Sequence, residues 1–444
     1  MDQIMPERGQ RRDARGVAVA SVADTLAAVA EVVLPTFAKG IILRRPRVEA
    51  LAERLDLDGR AVRRMGALRD AYGDGPLLLR LPLRRQALLL SAADARRVLE
   101  ETPDPFSPAS REKRAALAHF EPDVSLISEG PARDSRRALN DVALESTRPV
   151  HGMAARFLGV VEEEIGRLAR EARTLGRLDW AAFLPAWEAA VRRIVLGDSA
   201  RDDAELTEML RRLRAAANWA FLRPTKRSLR ASFRARVEGH LARAEAGSLA
   251  GRLADLPGAK ASPADQVAHW LFAFEAAGIA TLRALALLAA HPEAAGRAGA
   301  ELAGCAERPF LRACLRESLR LWPTTPAILR ETTAETRWRT GTLPAGTGLV
   351  VFAPFFHRDE TRLDCAHRFA PELWLEGAPE GVLLVPFSAG PGTCPAHHLV
   401  PMLGAAALAA LLERGDWALA APRLDPARLP GTLDHTGLVL VPAG

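Results

Sequence analysis

The 444-residue chain is 48% hydrophobic and 26% charged, enough apolar material for a large buried core and too little excess charge for a disordered chain. Its formal charge of +6 comes from 60 basic and 54 acidic residues, and only Lys39, Lys113, Lys226 and Lys260 of the basic ones are lysines. The arginines alternate with Glu and Asp along helical segments and no nucleic-acid motif accompanies them, so nucleic acid is not an expected partner.

In chain order, residues 1–15 are polar and arginine-rich and read as a disordered tail, while 16–444 read as one catalytic domain. The apolar stretch after the tail is interrupted by Asp24, Glu31, Pro35 and Lys39. Neither a signal-peptide core nor an anchor results, so a soluble, cytoplasmic protein is expected, with no membrane partner. Leu77 to Leu90 has strand character, with Pro82 and two arginines marking a turn. From Arg133 to about Leu249 the pattern is of successive amphipathic helices, as in Val161 to Leu175 and Ala204 to Leu222. The longest helix begins at Ser262-Pro263-Ala264-Asp265, a cap with proline in the first turn, and runs to about Ala290, roughly 40 Å. Its only glycine, Gly278, is where another group can approach the backbone, most simply a neighbouring helix. Strand character returns at Ala327 to Thr333 and at Glu335 to Phe352, where Leu343 to Thr347 reads as a hairpin turn. The fold class is therefore mainly α with a minor β part.

Four cysteines, Cys305, Cys314, Cys365 and Cys394, have no C-x-x-C pair, which fits neither a disulfide framework nor a zinc ribbon. Gly381 to Leu412 contains no Asp, Glu, Lys or Arg. Its four prolines, with Gly390 and Gly392 among them and two histidines, rule out a membrane-spanning helix. Inside it, Pro386-Phe387-Ser388-Ala389-Gly390-Pro391-Gly392-Thr393-Cys394-Pro395-Ala396 places a cysteine at the end of a glycine- and proline-shaped loop, just before a helical run. Free backbone N–H groups there favour a thiolate, suited to a soft metal centre or to nucleophilic attack with His397 or His398 as base.

The company of this loop is informative. Phe387, Gly390, Cys394 and, conservatively, Ala396 match the haem-binding loop of the cytochrome P450 family. Glu317-Ser318-Leu319-Arg320 resembles its Glu-x-x-Arg pair, and Leu321-Trp322-Pro323, Arg330, His357-Arg358-Asp359 and Arg368 to Trp374 follow in the family's order. Ala277, Gly278 and Thr281 resemble its oxygen-binding groove, and Pro131 to Arg137 its propionate-binding helix. From Leu77 onward the chain resembles this family.

The resemblance implies a cytochrome P450-like fold with haem b (iron protoporphyrin IX) between the long central helix and the cysteine loop. Cys394 would be the proximal iron ligand, Phe387 and Gly390 would shape its loop, and Arg137 and Arg330 would grip propionates. Glu317 and Arg320 would be a structural brace. Ala277, Gly278 and Thr281 would form the catalytic groove, with Phe274, Ala277, Ala327 and Ile328 lining the substrate pocket beside Ser107 to Leu126 and Asn218 to Thr225. Three positions depart from the family pattern. Gly392 stands where arginine is usual, and Arg133 is the expected substitute on the propionate. Leu373 replaces an arginine that completes the Glu-x-x-Arg brace, leaving Arg368 or His367 to stand in. Ala280 replaces the acid before Thr281, and Glu275, about 240° around the helix from that threonine, is poorly placed to replace it.

The implied activity is that of a monooxygenase acting on a small, largely apolar organic substrate, as a monomer, with ferredoxin and ferredoxin reductase as electron donors. Arg133 and Arg136 are candidates for the donor's docking face. A peroxygenase, an oxidative coupling enzyme or a nitric-oxide reductase-like enzyme is the alternative that Ala280 favours.

Overall fold

Apolar residues three and four apart dictate helices through the middle of the chain. The computed structural model, which describes residues 12–13, 15–82, 84–256, 262–302 and 307–443, places them at Gly130–Ala143, Ala154–Leu175, Trp180–Leu196, Ala204–Ala217 and Arg227–Arg243. Most of the N-terminal tail, and Cys305, lie outside the described residues. The helix from Ala204 stops five residues before Leu222, and Trp219, Phe221 and Leu222 beyond its end are exposed.

The central helix is Pro263–Ala290, with proline in its first turn and Asp265 near its positive end. Among the described residues it is the one helix long and apolar enough to cross a membrane by length and composition. Here it is a spine, packed against Trp180–Leu196, Pro309–Leu321 and Leu399–Leu412. The uncharged stretch resolves into the cysteine loop followed by the 14-residue helix Leu399–Leu412, buried almost throughout.

The β part consists of β1 (Ala18–Val19), β2 (Pro76–Leu79), β3 (Gln86–Leu89), β4 (Phe106–Ser107), β5 (Leu178–Asp179), β6 (Ala327–Thr332), β7 (Thr336–Trp338), β8 (Gly341–Leu343), β9 (Gly348–Phe352), β10 (Trp417–Ala421) and β11 (Val439–Pro442). The main sheet has the order β1-β2-β3-β9-β6-β4. The turn at Leu343 to Thr347 is not a hairpin turn. It carries the chain from the two-stranded β7-β8 ribbon into the main sheet, where β9 pairs antiparallel with β6 and parallel with β3. The strand alternation of β6 leaves Ala327 and Leu329 half-open and buries Ile328 and Arg330.

Two apolar cores result, one among the helices and one under the sheet. Phe387 and Cys394 border the helical core, whereas Ala327, Leu329 and Ala389 border the sheet core. The cysteine loop therefore occupies the seam between them.

Candidate active site

The loop is held open by its own backbone. Cys394 N–H donates to Phe387 O at 2.9 Å, and Thr393 donates to Gly390 O from N–H (3.0 Å) and from Oγ1 (2.7 Å). Gly390 has φ +61°, and a Cβ there would lie 2.3 Å from Leu99 O, so glycine is demanded by both conformation and space. His357 Nε2 accepts from Val385 N–H at 2.9 Å. Burial and the Arg320 charge push this histidine down to about 3, which keeps it a neutral acceptor.

Cys394 is deep in the protein, and burial pushes its thiol up. Its residue surface is nonetheless only half-buried, which marks an internal space beside the sulfur. His397 turns Nδ1 to Cys394 O at 2.9 Å, and His398 stacks on it with ring centroids 4.1 Å apart. Burial and neighbouring positive charge push His398 down to about 4. No described residue hydrogen-bonds the sulfur from a basic side chain, so the nucleophile reading lacks its base. A desolvated thiol with a raised pKa becomes a thiolate readily only when a metal cation binds it.

Arginines converge on this loop. Arg137 donates from Nη1 to Thr393 O at 2.7 Å and to Pro391 O at 3.4 Å, while its Nε pairs with Asp141 at 2.8 Å. Arg133, buried, reaches Pro391 O at 3.4 Å. Arg330 is 2% exposed and donates to Thr102 Oγ1 (2.9 Å), Leu329 O (3.0 Å) and Ser388 Oγ (3.2 Å). It makes no ion pair among the described residues, and burial, with the charge of Arg133, lowers it from 12.5 to about 10. Its guanidinium fills the space beside Gly392, where a Cβ would lie 2.5 Å from Nη2. Half-buried Lys113 donates to Pro108 O (3.1 Å) and Leu329 O (3.0 Å), and desolvation lowers its pKa well below the usual lysine value. The buried guanidinium of Arg330, without a carboxylate among the described residues, is what an anionic ligand edge would complete. Arg133 and Arg136 do not form an open docking face: Arg133 is buried against the loop, and Arg136 is held by Asp123 (2.9 Å) and Ser128 (2.7 Å).

Behind the loop, Glu317 and Arg320 are fully buried and paired through two bonds of 2.6 and 2.8 Å. Arg320 also donates to the carbonyls of His357, Cys365, Ala366 and Arg368. Neither Arg368 nor His367 completes the brace through its side chain. Glu317 instead accepts from Ala370 N–H at 2.8 Å and Trp374 Nε1–H at 2.9 Å, because Trp374, next to Leu373, reaches the carboxylate.

The central helix Pro263–Ala290 carries the other predicted site residues. His269, Phe272, Ala273 and Ala276 share its half-open face, at spacings of three, four and seven. Thr281 is fully enclosed further along, donating to Ala277 O at 2.8 Å. Gly404 allows the helix Leu399–Leu412 to approach that hydroxyl, since a Cβ there would lie 3.0 Å from Oγ1. Gly278 serves helix packing, with the Trp187 ring 2.7 Å from where its Cβ would be. Phe274 and Ile328 do not line the open face. Phe274 is buried in the helical core, its carbonyl accepting from Trp187 Nε1–H at 2.7 Å, and strand alternation turns Ile328 into the sheet core. Ala327 is half-open as expected, with Leu329, while Ala277 is almost fully covered. Glu275 lines a separate cavity of about 240 Å³ with Leu271 and Glu188, and is paired with Arg214. Helical spacing could have singled out the face from His269 to Ala276; the buried partner of His269, Glu121, carries no local signal.

The family profile named Cytochrome P450 matches residues 279–439. Cyclooctat-9-en-7-ol 5-monooxygenase of Streptomyces melanosporofaciens is 34% identical over 145 residues, 29% of this chain and 32% of that protein. 3-Hydroxyindolin-2-one monooxygenase of Zea mays is 32% identical over 138 residues, 29% of this chain and 24% of that protein. The aligned segments thus span about a third or less of these relatives. The fold agrees over much more of the chain. The retinoic acid-bound cyanobacterial CYP120A1 superposes with a TM-score of 0.68 at 17% identity, covering 85% of this chain and 94% of that one. A six-coordinated cytochrome P450 from Thermus thermophilus gives 0.64 at 20% identity, covering 86% and 98%. The fold is that of the solved cytochromes P450, and residues 279–439 are similar in sequence to the cytochrome P450 family. Members of that family are haem-thiolate enzymes with a cysteine-ligated protoporphyrin IX. The residues present fit that group: a deep cysteine beside an internal space, and the buried Arg330, which has no carboxylate partner among the described residues.

Proposed function

We propose that this protein is a monooxygenase that inserts one oxygen atom of O₂ into a small, largely apolar organic substrate. The balance is substrate C–H, O₂, two electrons and two protons giving C–OH and water, with the electrons from a separate redox partner. The observation that carries the reading is Cys394, set in the seam between the two cores with Arg330 unneutralised beside it. A haem bound there would supply the iron at which dioxygen is activated, and thiolate ligation favours O–O cleavage.

The chain's own residues have distinct tasks in this reading. Cys394 would ligate the iron. Arg330, Arg137 and Arg133 would hold the propionate edge by charge-assisted bonds, which the planar guanidinium makes well. Phe387 would shield the sulfur from water. Glu317 and Arg320 fix the backbone behind the loop. Ala273, Ala276, Ala327 and Leu329 offer an apolar wall to substrate. Thr281 keeps its hydroxyl proton on Ala277 O, and Ala280 offers no carboxyl, so protons reach the site through water or through a group on the substrate. That same feature favours a second reading, a peroxide-using haem-thiolate enzyme, which needs no such relay.

The reduced, carbon monoxide-bound protein is expected to show the strongly red-shifted Soret band of thiolate ligation, and Cys394→Ser to abolish it. A band at the position of histidine-ligated haem in the wild type would overturn the assignment. Turnover with ferredoxin, ferredoxin reductase and NAD(P)H, against turnover with peroxide alone, separates the two readings. Activity confined to peroxide would favour the second.

A further inference from the structure

The half-open face of the central helix is apolar except at one position. Phe272, Ala273 and Ala276 carry no hydrogen-bonding side chain, whereas His269 keeps 25% of its side-chain surface open. Its Nδ1 lies 2.8 Å from Oε1 of Glu121, which is 0% exposed. The imidazole is further fixed edge-on against Phe272, centroids 5.6 Å apart, and Phe272 in turn meets Phe120 at 5.6 Å. The ring is thus locked by a carboxylate on one nitrogen and aromatic rings around it. Among the described residues nothing hydrogen-bonds its other nitrogen, Nε2.

We propose that His269, oriented by Glu121, is the polar anchor of the substrate pocket, donating from Nε2–H to an uncharged oxygen acceptor, carbonyl, ether or hydroxyl, on an otherwise apolar substrate. The proposal rests on the monooxygenase reading and names the class of molecule that would enter its pocket.

Proton counting favours Nε2 as a donor. The second oxygen of Glu121, Oε2, is buried with no partner, so a pair carrying a net negative charge would be poorly solvated. The nearby charges do not relieve it. Asp265 is paired with Arg234 at 3.2 Å, and Arg214 with Glu275. Burial raises Glu121, and its charge outweighs burial at His269 and raises that group too. Both shifts favour an added proton on the pair. Placed on the ring, or on Oε1 facing Nδ1, that proton leaves a hydrogen on Nε2. An acceptor is what it recognises, and an uncharged one suits a pair that is itself net neutral.

Position separates an anchor from a proton relay. His269 precedes Ala276 by seven residues and Thr281 by twelve, roughly 10 Å and 18 Å along the axis. That is too far for direct delivery of a proton beside Thr281.

The test compares 2-dodecanone with dodecane, which differ in the carbonyl oxygen, on the haem-loaded wild type and on His269→Phe, His269→Gln and Glu121→Gln. Affinity is read by the Soret shift and, independently, by titration calorimetry. Removing a charge-assisted bond costs about tenfold or more in affinity. We expect His269→Phe to weaken 2-dodecanone by about tenfold or more and dodecane by less than about threefold. His269→Gln, which keeps an N–H donor, should recover part of the ketone affinity, and Glu121→Gln should weaken the ketone selectively. Equal effects of His269→Phe on both compounds, or a wild type that binds dodecane but not the ketone, or neither, would overturn the anchor. The carbon monoxide spectrum of each variant reports folding and ligation separately. A wild type without the red-shifted band refutes the haem-thiolate reading, whereas calorimetry alone judges the anchor.

Discussion

Replacing Arg330 by methionine should act in opposite directions on the haem-free and haem-bound protein. The side chain is 2% exposed and has no acid partner among the described residues. Its lowering from 12.5 to about 10 corresponds to about 3 kcal/mol of unfavourable charge burial at neutral pH, at 1.36 kcal/mol per tenfold. Methionine of similar length removes that cost. It also removes donors to Leu329 O and Ser388 Oγ, at about 1 kcal/mol each, whereas Thr102 Oγ1 keeps its bond to Val98 O. The haem-free variant is therefore expected to be as stable as the wild type or about 1 kcal/mol more stable.

With haem the sign reverses. A propionate would neutralise the guanidinium, and its loss should cost about 1.5–3 kcal/mol of haem binding, or roughly 10- to 150-fold in affinity. Urea unfolding of the haem-free protein, followed by circular dichroism, gives the first quantity. Haem transfer to an excess of apomyoglobin gives the second. A haem-free variant destabilised by more than about 2 kcal/mol, or unchanged haem transfer, would refute the reasoning that this buried charge awaits an anion.

Two further outcomes follow from the same physics. Trp374→Phe removes one of the donors to the fully buried Glu317 and should lower stability by about 1–2 kcal/mol in urea unfolding; an unchanged curve would show that the indole is not part of the brace. Glu49 is 3% exposed, and although burial opposes ionisation, His435 Nδ1 at 3.1 Å and the charges of Arg44 and Arg283 lower it from 4.5 to about 2. A depressed carboxylate stabilises the fold above its unfolded value and ceases to do so as pH falls through the folded one. The wild type should therefore lose up to about 3 kcal/mol between pH 4.5 and 2 from this group, and Glu49→Gln should remove that part of the pH dependence. Parallel stability curves for the two proteins across that range would contradict it.

What could be read from the sequence was the chemistry that sits on short spacings. Glu317 and Arg320 are three residues apart, and the cysteine loop is one continuous segment, so residue type and order suffice to mark them. The central helix was legible for the same reason, its start at Pro263 included. What was not legible depended on which way a side chain turns once elements pack. Phe274 and Gly278 lie close in sequence to the open face, but the rotation of the helix gives both to Trp187. Ile328 and Ala327 are neighbours, yet strand alternation sends them to opposite sides. His269 meets Glu121 across 148 residues, a contact that no local pattern announces.

The departures from the family pattern divide on the same physical ground. Gly392 leaves room for the Arg330 guanidinium, and Leu373 is followed by a tryptophan that reaches Glu317. In both cases a lost side chain concerns the scaffold, and a neighbour within a few ångströms supplies the hydrogen bond or charge. Ala280 is different. It is 1% exposed, its carbonyl is occupied by Ser318 Oγ at 3.0 Å, and Glu275 is committed to Arg214 on another side of the helix. No described carboxyl therefore takes the place of the missing acid beside Thr281. A scaffold can be restored by any group of suitable reach, but a proton donor must face the reacting atoms. Under the monooxygenase reading, the substrate or its bound water must therefore bring the proton, which ties turnover to molecules that carry or order a polar group.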